Sequence, residues 1–335
     1  MKLAVPPALE PLKLRWQARA SVAYDVPFTD HSARFRWCEE ALAGELEKVF
    51  ALRTDSELTE YLETFACDYA RFCGRRYGVG TASGTSALSF ALLALGVEPG
   101  DEVLVPRYSY VATSLAVEAV GAVPVREPSQ RVKGEIVAHL YGAMQPPARR
   151  DGLFLLEDAC QAHAVTWNGR PAGSFGEAAA FSFNTNKLLS GLGNGGLFVT
   201  DDAALLEKVR RMRDPESGDP LMSRAGRTPG YLDPVQAACV RAQLSVLPRA
   251  LAHRRALAAV YQEAFPVDDP PELGRSWHAF VIEVERRDEL RAYLKGRGIE
   301  ARDGYATGEL CLPLGLHLEE EHVRRVIAAV RTAGR

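Results

Sequence analysis

Between Tyr77 and Thr200, short apolar runs alternate with glycine- and proline-marked turns and with alanine- and leucine-rich stretches. This rhythm of strand, helix and strand argues for a parallel sheet covered by helices, because parallel neighbours need a crossover long enough to return the chain to the same edge. The run Tyr77 to Thr81 reads as a strand, Ser83-Gly84-Thr85 as a turn, and Ser86 to Leu95 as a helix closed by Gly96. A strand Glu102 to Val105 stops at Pro106, a helix follows from Tyr110 to Val120, and Val123 to Val125 is the next strand. Ile136 to Leu140, Leu153 to Leu156, Ala178 to Phe183 and Gly196 to Thr200 complete the set of strands.

The flanks read differently. Upstream, helical patterns cover Ser32 to Val49 and Asp55 to Phe72; in the second, Leu58, Tyr61, Leu62, Phe65, Ala66, Tyr69 and Phe72 recur at three- and four-residue spacings. Downstream of Asp201 helices dominate: Ala203 to Met212, Pro234 to Leu247, and a separate basic helix from Leu251 to Phe265. A strand His278 to Val284, a helix Arg287 to Arg297 and an amphipathic helix Glu319 to Thr332 end the chain. The expected fold class is α/β. A large domain with a mostly parallel central sheet flanked by helices spans 56–205, a smaller C-terminal α+β domain spans 206–335, and 1–55 is an N-terminal segment.

Charge narrows the partner. Forty Lys and Arg against forty-three Asp and Glu give a net charge of -3, so the chain as a whole has no basic footprint for nucleic acid or an anionic membrane. No apolar run approaches a membrane span, and Lys13 and Arg15 interrupt the N-terminus before a leader could form. Six scattered cysteines contain no C-x-x-C pair and read as reduced, mostly buried thiols, which suits a cytoplasmic enzyme acting on a small molecule.

Polar residues collect in three segments, each where an open parallel sheet presents a ligand site. Ser83-Gly84-Thr85-Ser86 opens a helix: taken alone it reads first as an N-cap, and its unpaired amides also suit a phosphate. Glu157-Asp158-Ala159-Cys160-Gln161-Ala162-His163 follows a strand. There Asp158 reads as a cap or as an ionised carboxylate with a cationic partner, and His163 as a structural or a functional imidazole. The spacing of Asp158, Cys160 and His163 fits no common zinc pattern, so no metal is expected. In the third segment, Lys187 stands on a polar turn before Gly191, Gly193, Gly195 and Gly196. Gly191, Gly193 and Gly196 also spell G-x-G-x-x-G, but they run into a strand where a dinucleotide fingerprint must open a helix.

In this order and at these separations, the segments resemble one family. With them belong Pro99-Gly100-Asp101-Glu102-Val103, Tyr108-Ser109-Tyr110-Val111-Ala112-Thr113, His139-Leu140-Tyr141-Gly142 and Phe181-Ser182-Phe183. The chain is similar to the fold-type-I, pyridoxal-phosphate-dependent enzymes of the DegT/DnrJ/EryC1/StrS group, mainly sugar aminotransferases, well over 57–212 and loosely elsewhere. The resemblance implies pyridoxal 5'-phosphate as cofactor. Lys187 would form the Schiff base and act as general base, while Asp158 would keep the pyridine nitrogen protonated. Gly84, Thr85 and Ser182 would hold the phosphate, Tyr110 would stack on the ring, and Gln161 would donate to its phenolic oxygen. The resemblance also implies a homodimer, since such sites lie between two subunits.

The chain departs from the family pattern in three places. Pro229 and Tyr231 stand where relatives carry an Asn-x-Arg pair, with Ser223, Arg224, Arg227 or Thr228 as candidate replacements; the stretch between Val125 and Ile136 is short; and Asp303-Gly304-Tyr305-Ala306-Thr307-Gly308 replaces a histidine- and proline-containing segment. The leading reading is an aminotransferase that takes an amino group from an amino acid, glutamate first, and passes it to a keto sugar, cyclitol or other ketone. A lyase, dehydratase or cyclisation enzyme on the same scaffold, or a catalytically idle regulatory protein, are the alternatives. Lys187 and the set Asp158, Gln161 and Ser182 favour the first.

Overall fold

A computed structural model describes residues 24–144, 147–214, 217–223 and 230–334. Three helices come first: α1 (His31–Arg36), α2 (Glu39–Ala51) and α3 (Asp55–Phe72). The first expected helical stretch is thus two helices, with Trp37 capping α1 and Cys38 preceding α2. The start of α3 is set by a capping box, in which the Thr54 side chain accepts the Glu57 amide while the Glu57 carboxylate accepts the Thr54 amide.

The central region then runs β1 (Tyr77–Thr81), α4 (Gly84–Ala94), β2 (Glu102–Leu104), α5 (Ala112–Ala119), β3 (Val123–Val125), β4 (Val132–Ala138) and β5 (Phe154–Asp158). A small excursion, β6 (Thr166–Trp167) and β7 (Arg170–Pro171), leads to β8 (Ala178–Ser182), β9 (Gly196–Thr200) and α6 (Ala203–Arg213). The sheet has seven strands in the order β1-β9-β8-β5-β4-β2-β3. All neighbours are parallel except those of β9, which is antiparallel to both β1 and β8. β4 begins four residues before the expected run. Its first half alternates buried Val132 and Gly134 with exposed Lys133, a period-2 pattern that offers no continuous apolar stretch.

Alternation also divides the core. Along β8, Ala178 and Ala180 join a cluster with Leu88, Leu92 and Val117 of α4 and α5, whereas Ala179 and Phe181 join one with Phe65 and Tyr69 of α3. Both faces of the sheet are therefore covered, as strands buried on two sides require.

The remaining elements are α7 (Pro234–Gln262), β10 (Leu273–Gly274), β11 (Phe280–Glu283), α8 (Arg287–Lys295), β12 (Arg302–Asp303), β13 (Glu309–Leu312) and α9 (Glu320–Ala333). The two helices expected around Pro248 are one helix of 29 residues with that proline inside it. An interior proline costs about 3 kcal/mol, and packing at both ends outweighs it. Ala237, Val240 and Leu247 lie in the core under the central sheet, while Leu257, Ala258 and Tyr261 lie in a third core beneath the antiparallel sheet β11-β13-β12. The chain before α1 is tied to the same region, for Val26 bridges Ile299 in parallel. Among the described residues no helix is long and apolar enough to cross a membrane.

Candidate active site

A cavity of about 410 Å³ opens where the parallel strands end, and Gly84, Thr85, Tyr110, Asp158, Gln161, Ser182 and Lys187 all line it. The parallel strands deliver these side chains because their loops leave from one edge of the sheet, while β9 enters from that edge after Asn194.

At the start of α4 the Ser83 hydroxyl accepts the Ser86 amide, 3.0 Å. The cap and the anion site are compatible, since capping uses that amide and leaves those of Gly84 and Thr85 without intrahelical partners. Gly84 also has a packing reason to be glycine: a Cβ there would stand 2.6 Å from Cys160 Sγ and 2.8 Å from Ser182 Cβ. Only a bare backbone lets the helix start lie against the end of β8.

Glu157 and Asp158 divide their roles by the alternation of β5. Glu157 is fully buried and accepts His139 Nε2 at 2.9 Å and the amides of Gly173, Phe175 and Gly176 at 2.8, 2.6 and 2.8 Å. Burial pushes its carboxyl up, but His139 and these amides outweigh burial and hold it below its ordinary value. Asp158 instead lines the cavity, where the Thr113 hydroxyl donates to Oδ2 at 2.7 Å and the Cys160 amide to Oδ1 at 3.3 Å.

His163 does not reach the cavity. Its Nε2 donates to the Ser182 carbonyl at 2.9 Å, which leaves Nδ1 to accept the Tyr69 hydroxyl. The imidazole is a neutral tether between α3 and the end of β8, and with both nitrogens occupied it forms no metal site with Asp158 and Cys160. Among the described residues no cluster of His, Cys, Asp and Glu could hold a metal.

Burial, helped by the Lys187 charge and opposed by the bond to Ser182, pushes His163 down from 6.5 to about 3. The unfolded chain protonates near the ordinary value, so acid favours unfolding. Stability from this residue is complete above about pH 6.5 and is lost as pH falls toward 3. The gap in urea midpoint between the wild type and His163→Gln is therefore expected to narrow over that window; a constant gap would refute the tether's neutrality.

Lys187 lies on the turn after β8, between Asn184, whose carbonyl accepts its amide at 2.9 Å, and the buried Leu188 and Leu189. Its Nζ stands 5.9 Å from the centre of the Tyr110 ring. Gln161 is held at both ends: Oε1 accepts the Tyr141 amide at 3.0 Å, and Nε2 donates to the Tyr305 hydroxyl. Tyr305 in turn stacks on Tyr141, with ring centres 5.3 Å apart. Burial pushes its hydroxyl up to about 12, so it stays protonated.

Tyr305, Arg302 and Phe28 also line the cavity, and sequence reasoning gave none of them a role. Tyr305 lay in a segment that had signalled only a departure from the family pattern, and no local spacing places Phe28 beside Arg302. The candidate replacements Arg224, Arg227 and Thr228, with Pro229, lie outside the described residues, as does the Ser223 side chain.

One cavity at the strand ends thus gathers an amine, a carboxylate, an aromatic ring and a helix start with open amides. The sequence matches the DegT/DnrJ/EryC1/StrS aminotransferase family over residues 40–136 and 127–308. The chain belongs to that family. The DegT/DnrJ/EryC1/StrS likeness therefore extends well beyond 57–212. The chain is 35% identical to dTDP-3-amino-3,4,6-trideoxy-alpha-D-glucose transaminase of Streptomyces venezuelae, covering 91% of this chain and 95% of the relative. It is 30% identical to dTDP-3-amino-3,6-dideoxy-alpha-D-galactopyranose transaminase of Aneurinibacillus thermoaerophilus, covering 82% and 90%. Among solved structures, S. venezuelae DesV in complex with a ketimine intermediate superposes with a TM-score of 0.81 at 32% identity, covering 92% of this chain and 98% of that one. The protein is an aminotransferase on a pyridoxal-phosphate-dependent fold, a reading these relatives support over the lyase and idle-regulator alternatives.

Proposed function

We propose that the cavity binds pyridoxal 5'-phosphate and that the enzyme moves an amino group from an amino acid, glutamate first, to the keto group of a nucleotide-linked sugar. The observation that carries this reading is the convergence of Lys187, Asp158 and the open helix start of α4 on one cavity. The donor set fits the cofactor group by group. The amides of Gly84 and Thr85 with the Ser182 hydroxyl suit its phosphate, Asp158 its pyridine nitrogen, the Tyr110 ring its face, and the Gln161 amide its phenolic oxygen. When bound, pyridoxal phosphate supplies an electron sink for the bond broken beside the amine nitrogen.

The chain's own residues do the rest. Asp158, fixed by Thr113 and Cys160, would hold the proton on the ring nitrogen. Lys187 Nζ would hold the aldehyde end of the cofactor and, as a free amine, would carry the proton lost from the donor's α-carbon. The choice of a nucleotide-linked sugar rests on the activities named for the two relatives above. Added pyridoxal phosphate is expected to give the protein a yellow absorbance that glutamate bleaches. A colourless protein would end the cofactor reading, and colour that no amino acid bleaches would end the transaminase reading.

The binding of Gln161 by Tyr305 gives a milder expectation. Tyr305→Phe removes the bond at Nε2 while the Tyr141 amide still holds Oε1, and the loss of one such hydrogen bond, about 0.5–1.5 kcal/mol, should weaken cofactor affinity about 2- to 12-fold by spectral titration. Around the cavity-lining Tyr110, the chain also exposes Tyr108, Val111 and Leu115, and each of the four is at least 46% accessible. We propose that a second copy of the chain covers them in a homodimer; light scattering at a dimer's mass is expected, and a monomer's mass would exclude it.

A further inference from the structure

Of the described residues lining the cavity, two are lysine or arginine, Lys187 and Arg302. His278 also faces it, but burial and the nearby Lys187 and Arg254 charges hold its imidazole neutral. Any amino acid donor brings at least one carboxylate into this space, and a carboxylate taken from water without a cationic partner is costly. Lys187 is committed to the amine chemistry. Among the described residues, that leaves one guanidinium for the carboxylate.

Arg302 is held ready. It stands in β12, on the small sheet, and its guanidinium lies 4.4 Å from the centre of the Phe28 ring, another cavity residue. Its Nε and Nη2 both donate to a single Glu300 oxygen, Oε1, at 3.2 and 3.0 Å. The other Glu300 oxygen accepts the Phe28 amide at 2.8 Å. Ring and carboxylate together fix the plane and one edge of the guanidinium, leaving the paired Nη1 and Nη2 hydrogens at its tip, the fork that grips a carboxylate with two parallel bonds. The side chain keeps 40% of its surface accessible, so a ligand can reach that tip.

We propose that Arg302 is the carboxylate anchor of the amino donor, gripping it end-on from the small sheet while the donor's nitrogen lies at Lys187. The assignment rests on the cavity being the transamination site. It makes the donor an amino acid in preference to a simple amine, and it gives this chain a donor-side cation drawn from its own small sheet.

The test uses the full chain loaded with pyridoxal phosphate, as wild type, Arg302→Gln and Arg302→Lys. Bleaching by glutamate in a single turnover is expected to need about 10- to 100-fold more donor in Arg302→Gln, the loss of a hydrogen-bonded charge contact; Arg302→Lys recovers part of it. Calorimetric binding of glutarate, which has carboxylates and no amine, should fall in parallel while cofactor colour and thermal midpoint stay unchanged. Alanine and ethylamine separate the sources: if alanine is affected as glutamate is, the α-carboxylate is gripped; if glutamate alone is affected, the side-chain carboxylate is. Ethylamine should be indifferent to the substitution. Unchanged glutamate dependence, or an effect confined to the keto-acceptor half-reaction, overturns the proposal. A wild type that takes up no cofactor overturns the underlying site reading as well, and is distinguished by its lack of colour.

Discussion

Lys187→Ala is expected to lower turnover by about 10⁴-fold, the upper end of what a positioned proton carrier contributes. No other amine among the described lining residues can take over. Of the cationic side chains lining the cavity among the described residues, the other is Arg302, whose guanidinium does not deprotonate in proteins. The local fold should survive, because the buried anchors of the turn are Leu188 and Leu189 and not the lysine. Single-turnover kinetics with glutamate, alongside far-ultraviolet circular dichroism, check both halves. Partial recovery on adding methylamine would support the amine's role; activity within tenfold of wild type in the untreated variant would remove Lys187 from the chemistry.

Asp158→Asn is the second large effect. The carboxylate is 7% exposed and held by the Thr113 hydroxyl, itself 2.7 Å from Ser109 Oγ, so its orientation is set before any ligand arrives. Asparagine keeps the shape and removes the charge that holds a proton on the partner nitrogen. Removing one member of a buried charge pair costs about 3–5 kcal/mol, roughly 10²- to 10³-fold or more in rate if it acts in the transition state. Folding should respond in the opposite sense or not at all. Burying a neutral amide is cheaper than burying a carboxylate, so the urea midpoint is expected to hold or rise while kcat collapses. If both fall together, Asp158 is a structural residue.

These two residues stand at strand ends that were legible because the strands were. Tyr77–Thr81, Val123–Val125 and Gly196–Thr200 are bounded as their apolar runs and glycines suggest; the ends of the mutually parallel strands point to one side, and the antiparallel β9 starts from that side. The start of β4 was hidden because Lys133, Gly134 and Glu135 break its apolar pattern. The joining of two expected helices through Pro248 could not be read locally either, since the compensation lies in two separate cores.

By itself, then, the sequence determined the α/β class, the family, and the order of polar segments along the sheet edge. The class and the order rest on periodicity and on short-range turn chemistry, which a linear string records, and the family on the likeness of the motifs to those of known enzymes. The tertiary structure decided which distant groups share the cavity. Tyr305 reaches Gln161 across 144 positions, and Phe28 reaches Glu300 across 272. It also decided that His163 is a neutral tether. Such pairings are fixed by how the small sheet and the first helices pack against the long helix α7, and no spacing within a segment encodes that.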